Sequence, residues 1–403
     1  MREAFLLDPG LVFLNHGSFG ACPREVFDDW QRWQRELERS PVEFLGRRSA
    51  ALLAAARETL AAHLGARQAD LVFVPNATTG VNIVARSLMP ALAPGDEVLA
   101  TDHEYGACDA TWQRLCAARG VSYRRVEVPL PFDAATFAAR MMAAATERTK
   151  MIFASHITST TALIFPLAEL CAAARQRGIV TVIDGAHAPG QIELDLEAIG
   201  ADHYAGNCHK WLCAPKGAAF LHVRRDRQEL VCPLTISHGA NSPRADRSRY
   251  LIEFGWTGTG DPTACLSVPE ALRFMGSLLP GGWAAVMRRN RELALAARRV
   301  LCQALQVEAP CPDKFIGSLA SLPLPDATDA APSKSPLYLD PLQDALLEQH
   351  SIEVPIIPWP APPKRLLRIS SQLYNSLPQY ERLAKALTDC PSGISPTESC
   401  FSN

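Results

Sequence analysis

No stretch of this 403-residue chain is long and apolar enough to span a bilayer as a helix, and neither sign of charge prevails: 40 Lys and Arg stand against 42 Asp and Glu. The first lack removes a helical membrane anchor from the expectations. The second removes the basic stripe that tracks a phosphate backbone, so no nucleic acid partner is expected. Twelve cysteines run from Cys22 to Cys400 without a CxxC pair, and a chain of this size needs no disulfide scaffold, so they read as reduced, mostly buried small hydrophobes. No GxGxxG opens a βαβ unit, no GxxxxGK[ST] occurs, and His203 and His209 lack metal-ligand spacing. Dinucleotide, P-loop and metal chemistry are without their marks, and no metal is expected. The apolar start meets Asp8, Pro9 and Gly10 before it reaches signal-peptide length, which makes a cytoplasmic location the expectation.

What is present is core-forming material, with 48% hydrophobic and 20% charged residues. Short apolar runs predict strands at 71–74, 97–100, 123–128, 150–155, 179–184, 202–206 and 217–223. Helical spacing fills the intervals at 48–64, 107–119, 134–145 and 167–177. Such alternation predicts an α/β domain with a mainly parallel sheet. After Asp261 the texture changes to helices over 262–275 and 283–305 and short strands near 315–321, 352–357 and 365–369, the pattern of a smaller α+β domain. Residues 323–336 read as a polar, Pro-rich loop and 389–403 as a frayed tail.

The segment 179–217, IVTVIDGAHAPGQIELDLEAIGADHYAGNCHKWLCAPKG, concentrates the chemistry. A buried-type strand delivers Asp184 at its C-terminal end, where open α/β sheets bind ligands, and the next strand leads into a loop carrying His209 and Lys210. An amine that bonds an aldehyde and a carboxylate that keeps a pyridine nitrogen protonated are the two groups pyridoxal chemistry requires. Alone, the Asp reads as a cap and the Lys as solvated surface; their conjunction carries the inference.

DGAHAPG followed by YAGNCHKWL resembles the class V aminotransferase family of fold type I pyridoxal-phosphate enzymes. LNHGSFG (14–20), DHEYGA (102–107), GWTGTGD (255–261) and LRISSQLYN (367–375) resemble its isopenicillin N epimerase branch and related C–S lyases. The resemblance implies an arm over the site at 1–22, a large cofactor-binding domain at 23–261, a small domain at 262–388 and a disordered tail at 389–403. It assigns pyridoxal 5′-phosphate as cofactor, with Asp184 on the ring nitrogen, His187 on the phenolate O3′, Lys210 on the aldehyde and His209 on the phosphate. Ala77 and Thr78 open a helical pattern whose amides suit phosphate; the alternative is that Asn76 and Thr78 only cap it. Asn207 stands where many members carry a Ser or Thr phosphate ligand. Thr259 matches a position that reaches the phosphate of the neighbouring subunit, implying a homodimer; a hydroxyl in a Gly-rich turn is the other reading.

Over the cofactor ring the resemblance places His103 or Tyr105, of which Tyr105 is preferred as a stacking group and proton donor, against the reading of a core or rim tyrosine. Arg368 is implied to clamp the substrate α-carboxylate, with a structural salt bridge as alternative. Asn15 and His16 bring the N-terminal segment to the substrate or merely form a turn. The small-molecule substrate is then an amino acid or peptide-like compound whose Cα proton Lys210 removes. Epimerisation is the first reading, β-elimination with C–S cleavage the second, and transamination or a non-catalytic scaffold stand lower. Cysteine desulfurases of the family need a loop Cys in the small domain, and 312–389 contains none.

Overall fold

A computed structural model describes residues 1–327 and 340–389. Its principal sheet takes its strands from the runs named above: β1 Leu71–Val74, β2 Glu97–Thr101, β3 Ser122–Val126, β4 Thr149–Ser155, β5 Val180–Asp184, β6 His203–Asn207 and β7 Ala219–Val223. Their spatial order is β1-β7-β6-β5-β4-β2-β3. Pairs from β3 through β6 are parallel, while β7 runs antiparallel to both β6 and β1. Every residue of β2, β6 and β7 is buried, as expected of strands covered on both faces.

The covering helices include α1 Arg24–Arg39, α2 Ser49–His63, α3 Ala77–Leu88, α4 Gly106–Arg119, α5 Ala134–Ala144 and α6 Leu167–Gln176. Two apolar cores lie on the two sides of the sheet, one holding Val81, Val84, Trp112 and Phe153, the other Phe137, Phe165, Leu170 and Tyr204. The alternation of neighbours such as Ile152 and Phe153 between them follows from strand geometry. Five strand ends, those of β1, β2, β4, β5 and β6, open on one edge of the sheet.

Past the sheet, the expected single helix over 262–275 is two, Thr263–Leu266 and α7 Val268–Ser277. Pro269 has no N–H to continue the first ladder and sits instead in the first turn of the second. The helix α8 Gly282–Leu305 leads to a three-stranded antiparallel sheet of β8 Leu319–Leu324, β9 Ile356–Pro358 and β10 Arg365–Ser370, in the order β9-β10-β8. The strand expected over 352–357 is thus split: Ile352–Glu353 pairs with Val12–Phe13 near the N-terminus, and Ile356 begins β9. Residues 323–324 belong to β8 rather than to the Pro-rich loop, whose residues from 328 onward lie outside the described ones. Helix α9, Leu377–Asp389, takes in the first residue of the expected tail; 390–403 also lie outside.

Candidate active site

Lys210 follows β6 in a tight turn in which the Cys213 amide donates to the Lys210 carbonyl at 3.1 Å, with Cys213 at φ 60°. The lysine Nζ lies 3.1 Å from His187 Nε2, and the Trp211 indole N–H points at His187 Nδ1 at 3.4 Å. An indole nitrogen only donates, so His187 accepts at Nδ1 and carries its proton on Nε2. That N–H faces the lysine amine, which accepts it in its unprotonated form. Burial first, and the positive charge of Arg368 second, push the Lys210 amine down to about 7, against the pull of Asp184. Burial also holds His187 neutral, far below the usual imidazole range, with Lys210 and Arg368 adding to it.

Asp184, the last residue of β5, is buried; its Oδ1 accepts the Ala186 amide at 2.9 Å and its Oδ2 lies 3.5 Å from the Cys108 thiol. Burial raises its pKa, opposed by the Ala186 amide and by Lys210. Gly185 is required here, because a Cβ would fall 2.0 Å from the Tyr204 ring. Arg368 lies on β10, buried at 3% exposure. Its Nη1 donates to the Ser159 carbonyl at 2.7 Å and to Ser159 Oγ at 3.1 Å, and its Nη2 to Ser18 Oγ at 2.9 Å and Asn15 Oδ1 at 3.4 Å. Its Nε has no partner among the described residues, and its contacts are all to neutral groups. No salt bridge forms there among the described residues. Burial alone brings the guanidinium down to about 10. Asp184 and Arg368 are therefore buried charges without ion-pair partners among the described residues, a costly arrangement in the absence of a ligand.

The N-terminal segment reaches these groups. Gly20, at φ 70°, packs where a Cβ would lie 2.0 Å from the His209 carbonyl oxygen, so only glycine admits the approach. Asn15 contacts Arg368 and donates to Glu353 Oε1 at 2.9 Å. His16 departs from its expected place against substrate: its Nδ1 lies 2.8 Å from the Tyr374 hydroxyl and its Nε2 3.0 Å from the Lys210 carbonyl. Both nitrogens are engaged in the protein, so the ring braces the lysine turn.

Helix α3 begins just past β1. Asn76 caps it by accepting the Thr79 amide at 2.8 Å, and the Ala77 amide donates to Asn207 Oδ1, also at 2.8 Å. The two residues expected to meet phosphate, Ala77 and Asn207, thus meet each other, because the first orphan N–H of the helix abuts the end of β6. Thr78 is half-buried on the first turn. The His209 ring lies 3.2 Å from the Ala218 carbonyl through Nδ1 and is pushed down to about 4 by burial and by Lys210. Thr259 sits in an exposed bend between two short helices.

Of the two candidates for the ring-facing position, His103 is buried with Nδ1 2.7 Å from Thr161 Oγ1 and Nε2 2.7 Å from the Val128 carbonyl, packed beside Trp359 and Phe165. Tyr105 is 40% exposed and within electrostatic reach of Asp184 and Arg368. Burial and the neighbouring acids raise its pKa, so the phenol keeps its proton. Sequence reasoning passed over Glu104, Ser159, Ser18, Trp211 and Cys108. Glu104, Ser18 and Trp211 fall within DHEYGA, LNHGSFG and YAGNCHKWL, but nothing in their spacing marks them; Ser159 comes from a loop whose approach to Arg368 is purely tertiary. The three potential metal ligands that do cluster among the described residues, Asp70, Glu197 and His222, lie at the opposite end of the sheet, with Arg67 3.1 Å from Asp70 and 3.4 Å from Glu197.

A family profile described as aminotransferase class-V matches residues 21–327. Isopenicillin N epimerases of Amycolatopsis lactamdurans and Streptomyces clavuligerus are 38% and 40% identical to this chain, each over 96% of it and over 97% and 96% of their own lengths. Putative L-cysteine desulfhydrase 1 of Oryza sativa subsp. japonica is 31% identical over 94% of this chain and 83% of its own. Among solved structures, that of the cystine C–S lyase C-DES with its product cysteine persulfide superposes with a TM-score of 0.79 at 22% identity, covering 94% of this chain and 98% of that one.

Proposed function

Because the chain belongs to the class V aminotransferase family and is an enzyme of pyridoxal phosphate, we propose that it moves the Cα proton of an amino-acid or peptide-like substrate from one face to the other, as an isopenicillin N epimerase-like epimerase. The observation that carries the reading is the pair of buried charges Asp184 and Arg368, without ion-pair partners among the described residues, that both act on a lysine whose pKa is pushed down to about 7. One suits a pyridinium nitrogen and the other a substrate carboxylate. The remaining residues fit the same cofactor: His187 offers its Nε2–H to a phenolate oxygen, and His209, Thr78 and the start of α3 suit a phosphate. Once bound, pyridoxal phosphate supplies an aldehyde for the substrate amine and a ring that accepts electron density from Cα.

The chain's own groups do the rest. Arg368 fixes the substrate by its carboxylate, held in place by Ser159, Ser18 and Asn15. Lys210, with a pKa near neutrality, removes the Cα proton. Tyr105, which keeps its proton, returns one on the other face. His16 and Trp211 hold the lysine and His187 in register. A homodimer with Thr259 reaching the neighbouring site belongs to the same reading, and the exposed apolar side chains Leu230, Leu234 and Ile236, in the segment before that bend, suit a covered face.

A second reading, β-elimination with C–S cleavage, draws on the likeness to a protein named as a cysteine desulfhydrase; it needs the same lysine, carboxylate and arginine but no proton return by Tyr105. The experiment is direct. Purified protein should absorb in the visible and be bleached by borohydride; a colourless protein that takes up no added cofactor sinks the whole reading. Solvent deuterium entering Cα with inversion supports epimerisation, whereas ammonia and pyruvate released from a β-substituted cysteine would replace it with the lyase.

A further inference from the structure

Glu104 is a carboxyl at the functional edge of the sheet that the chemistry above leaves unused. Its Oε1 accepts the Thr101 hydroxyl at 2.5 Å and its Oε2 lies 2.7 Å from the Ser155 hydroxyl. Thr101 ends β2, Ser155 ends the adjacent β4, and Ser155 pairs in register with Asp184 on β5. One side chain thus bridges two strand ends beside the carboxylate assigned to the ring nitrogen, immediately before Tyr105 in the chain.

The groups facing Glu104 are Asp184 from β5, the Cys108 thiol from α4 and the Tyr123 phenol from β3. All are acids. No Lys, Arg or His forms an ion pair with Glu104 among the described residues, so an ionised Glu104 would face Asp184 with only hydroxyls to compensate it, while a neutral carboxyl keeps both contacts by accepting from Thr101 and donating its own proton to Ser155 Oγ. Burial pushes its pKa up to about 8, against the pull of the Thr101 and Ser155 hydrogen bonds and with Asp184 adding least.

We propose that Glu104 is a positioning residue of the cofactor site, an uncharged carboxyl that ties the Tyr105 turn to the ends of β2 and β4 and leaves Asp184 as the single negative charge presented to the pyridine nitrogen. This rests on the cofactor reading above. Glu104→Gln keeps the shape and both hydrogen bonds of the neutral acid; Glu104→Ala removes them.

Two measurements test it. The first is thermal unfolding of the cofactor-free protein from pH 5 to 9. The folded state keeps the Glu104 proton where the unfolded chain has lost it, so wild-type stability falls as pH rises from the ordinary carboxylate range to about 8 and then levels. The Tm of Glu104→Gln minus that of wild type should therefore climb by about 5 °C between pH 5 and 8 and then stay flat. The second is affinity for pyridoxal phosphate at pH 7 by Trp fluorescence, which Glu104→Ala should weaken about tenfold and Glu104→Gln restore to within about threefold of wild type. A Tm difference that does not change with pH, or a Gln variant as weak as Ala, overturns the proposal. Wild-type protein that binds no pyridoxal phosphate overturns the functional reading and with it any service of Glu104 to the cofactor, whereas the unfolding series reports the charge of Glu104 independently.

Discussion

The Lys210 amine receives the His187 Nε2–H at 3.1 Å and has its pKa pushed down to about 7 by burial and by Arg368. An amine attacks an aldehyde only when unprotonated, so the rate at which cofactor-free protein captures pyridoxal phosphate should rise with pH through a midpoint near 7 rather than in the ordinary lysine range. Arg368 lowers that midpoint; its removal must raise it. Stopped-flow absorbance on Arg368→Gln should show capture half-maximal at a higher pH than in wild type, and an unmoved midpoint would mean that burial alone sets the amine. If Arg368 holds the substrate carboxylate as proposed, the same variant should also raise KM about 10- to 100-fold. Tyr105 bears a different burden. If it returns the proton, Tyr105→Phe should slow inversion by about 10²–10³-fold while Lys210 still exchanges the Cα hydrogen of one enantiomer with deuterated solvent. Equal loss of exchange and inversion would place Tyr105 in binding instead.

At the scale of elements, the start of α3 shows how a site is built from a helix end and a strand end. Asn207, closing β6, accepts the Ala77 amide at 2.8 Å, and Asn76 accepts the Thr79 amide at the same distance. Asn207→Ala should leave a buried N–H without a partner and cost about 1 to 3 kcal/mol in urea unfolding of the cofactor-free protein, and phosphate-competed cofactor binding should weaken with it as the helix end loses its register. Asn76→Ala should cost about 1 kcal/mol, as for an ordinary N-cap. This junction also marks the limit of what residue order conveys. The strands, the strand-end position of Asp184 and the loop position of Lys210 were legible because apolar runs ending in a polar residue have a local cause. That Asn207 accepts the Ala77 amide, that His16 holds the Lys210 carbonyl, and that Ser159 carries Arg368 depend on which strand ends become neighbours. Nothing in the local pattern records that β2 lies between β3 and β4, or that Val12–Phe13 pairs with residues near 352.

Across the whole molecule, no described helix is long and apolar enough to cross a membrane, and the N-terminal segment, the large sheet and β10 converge on one site through Gly20, Lys210 and Arg368. Thr259 is exposed in its own chain, and mixing subunits separates a role at its own phosphate from a role at that of a second copy. A protein with Lys210→Ala has no site able to hold the cofactor covalently. One with Thr259→Glu keeps every lysine but sets a negative charge against the phosphate wherever residue 259 reaches it. If 259 serves its own subunit, mixing the two after mild dissociation gains nothing, since each intact lysine still faces the introduced charge. If it serves the neighbour, a mixed dimer has one site combining an intact Lys210 with an intact Thr259. In a one-to-one mixture about half of the dimers are mixed and about a quarter of all sites should recover wild-type cofactor affinity. Recovery to that level, read from the visible band against added cofactor, establishes the shared site; a mixture no better than the average of its components means that each chain completes its site alone.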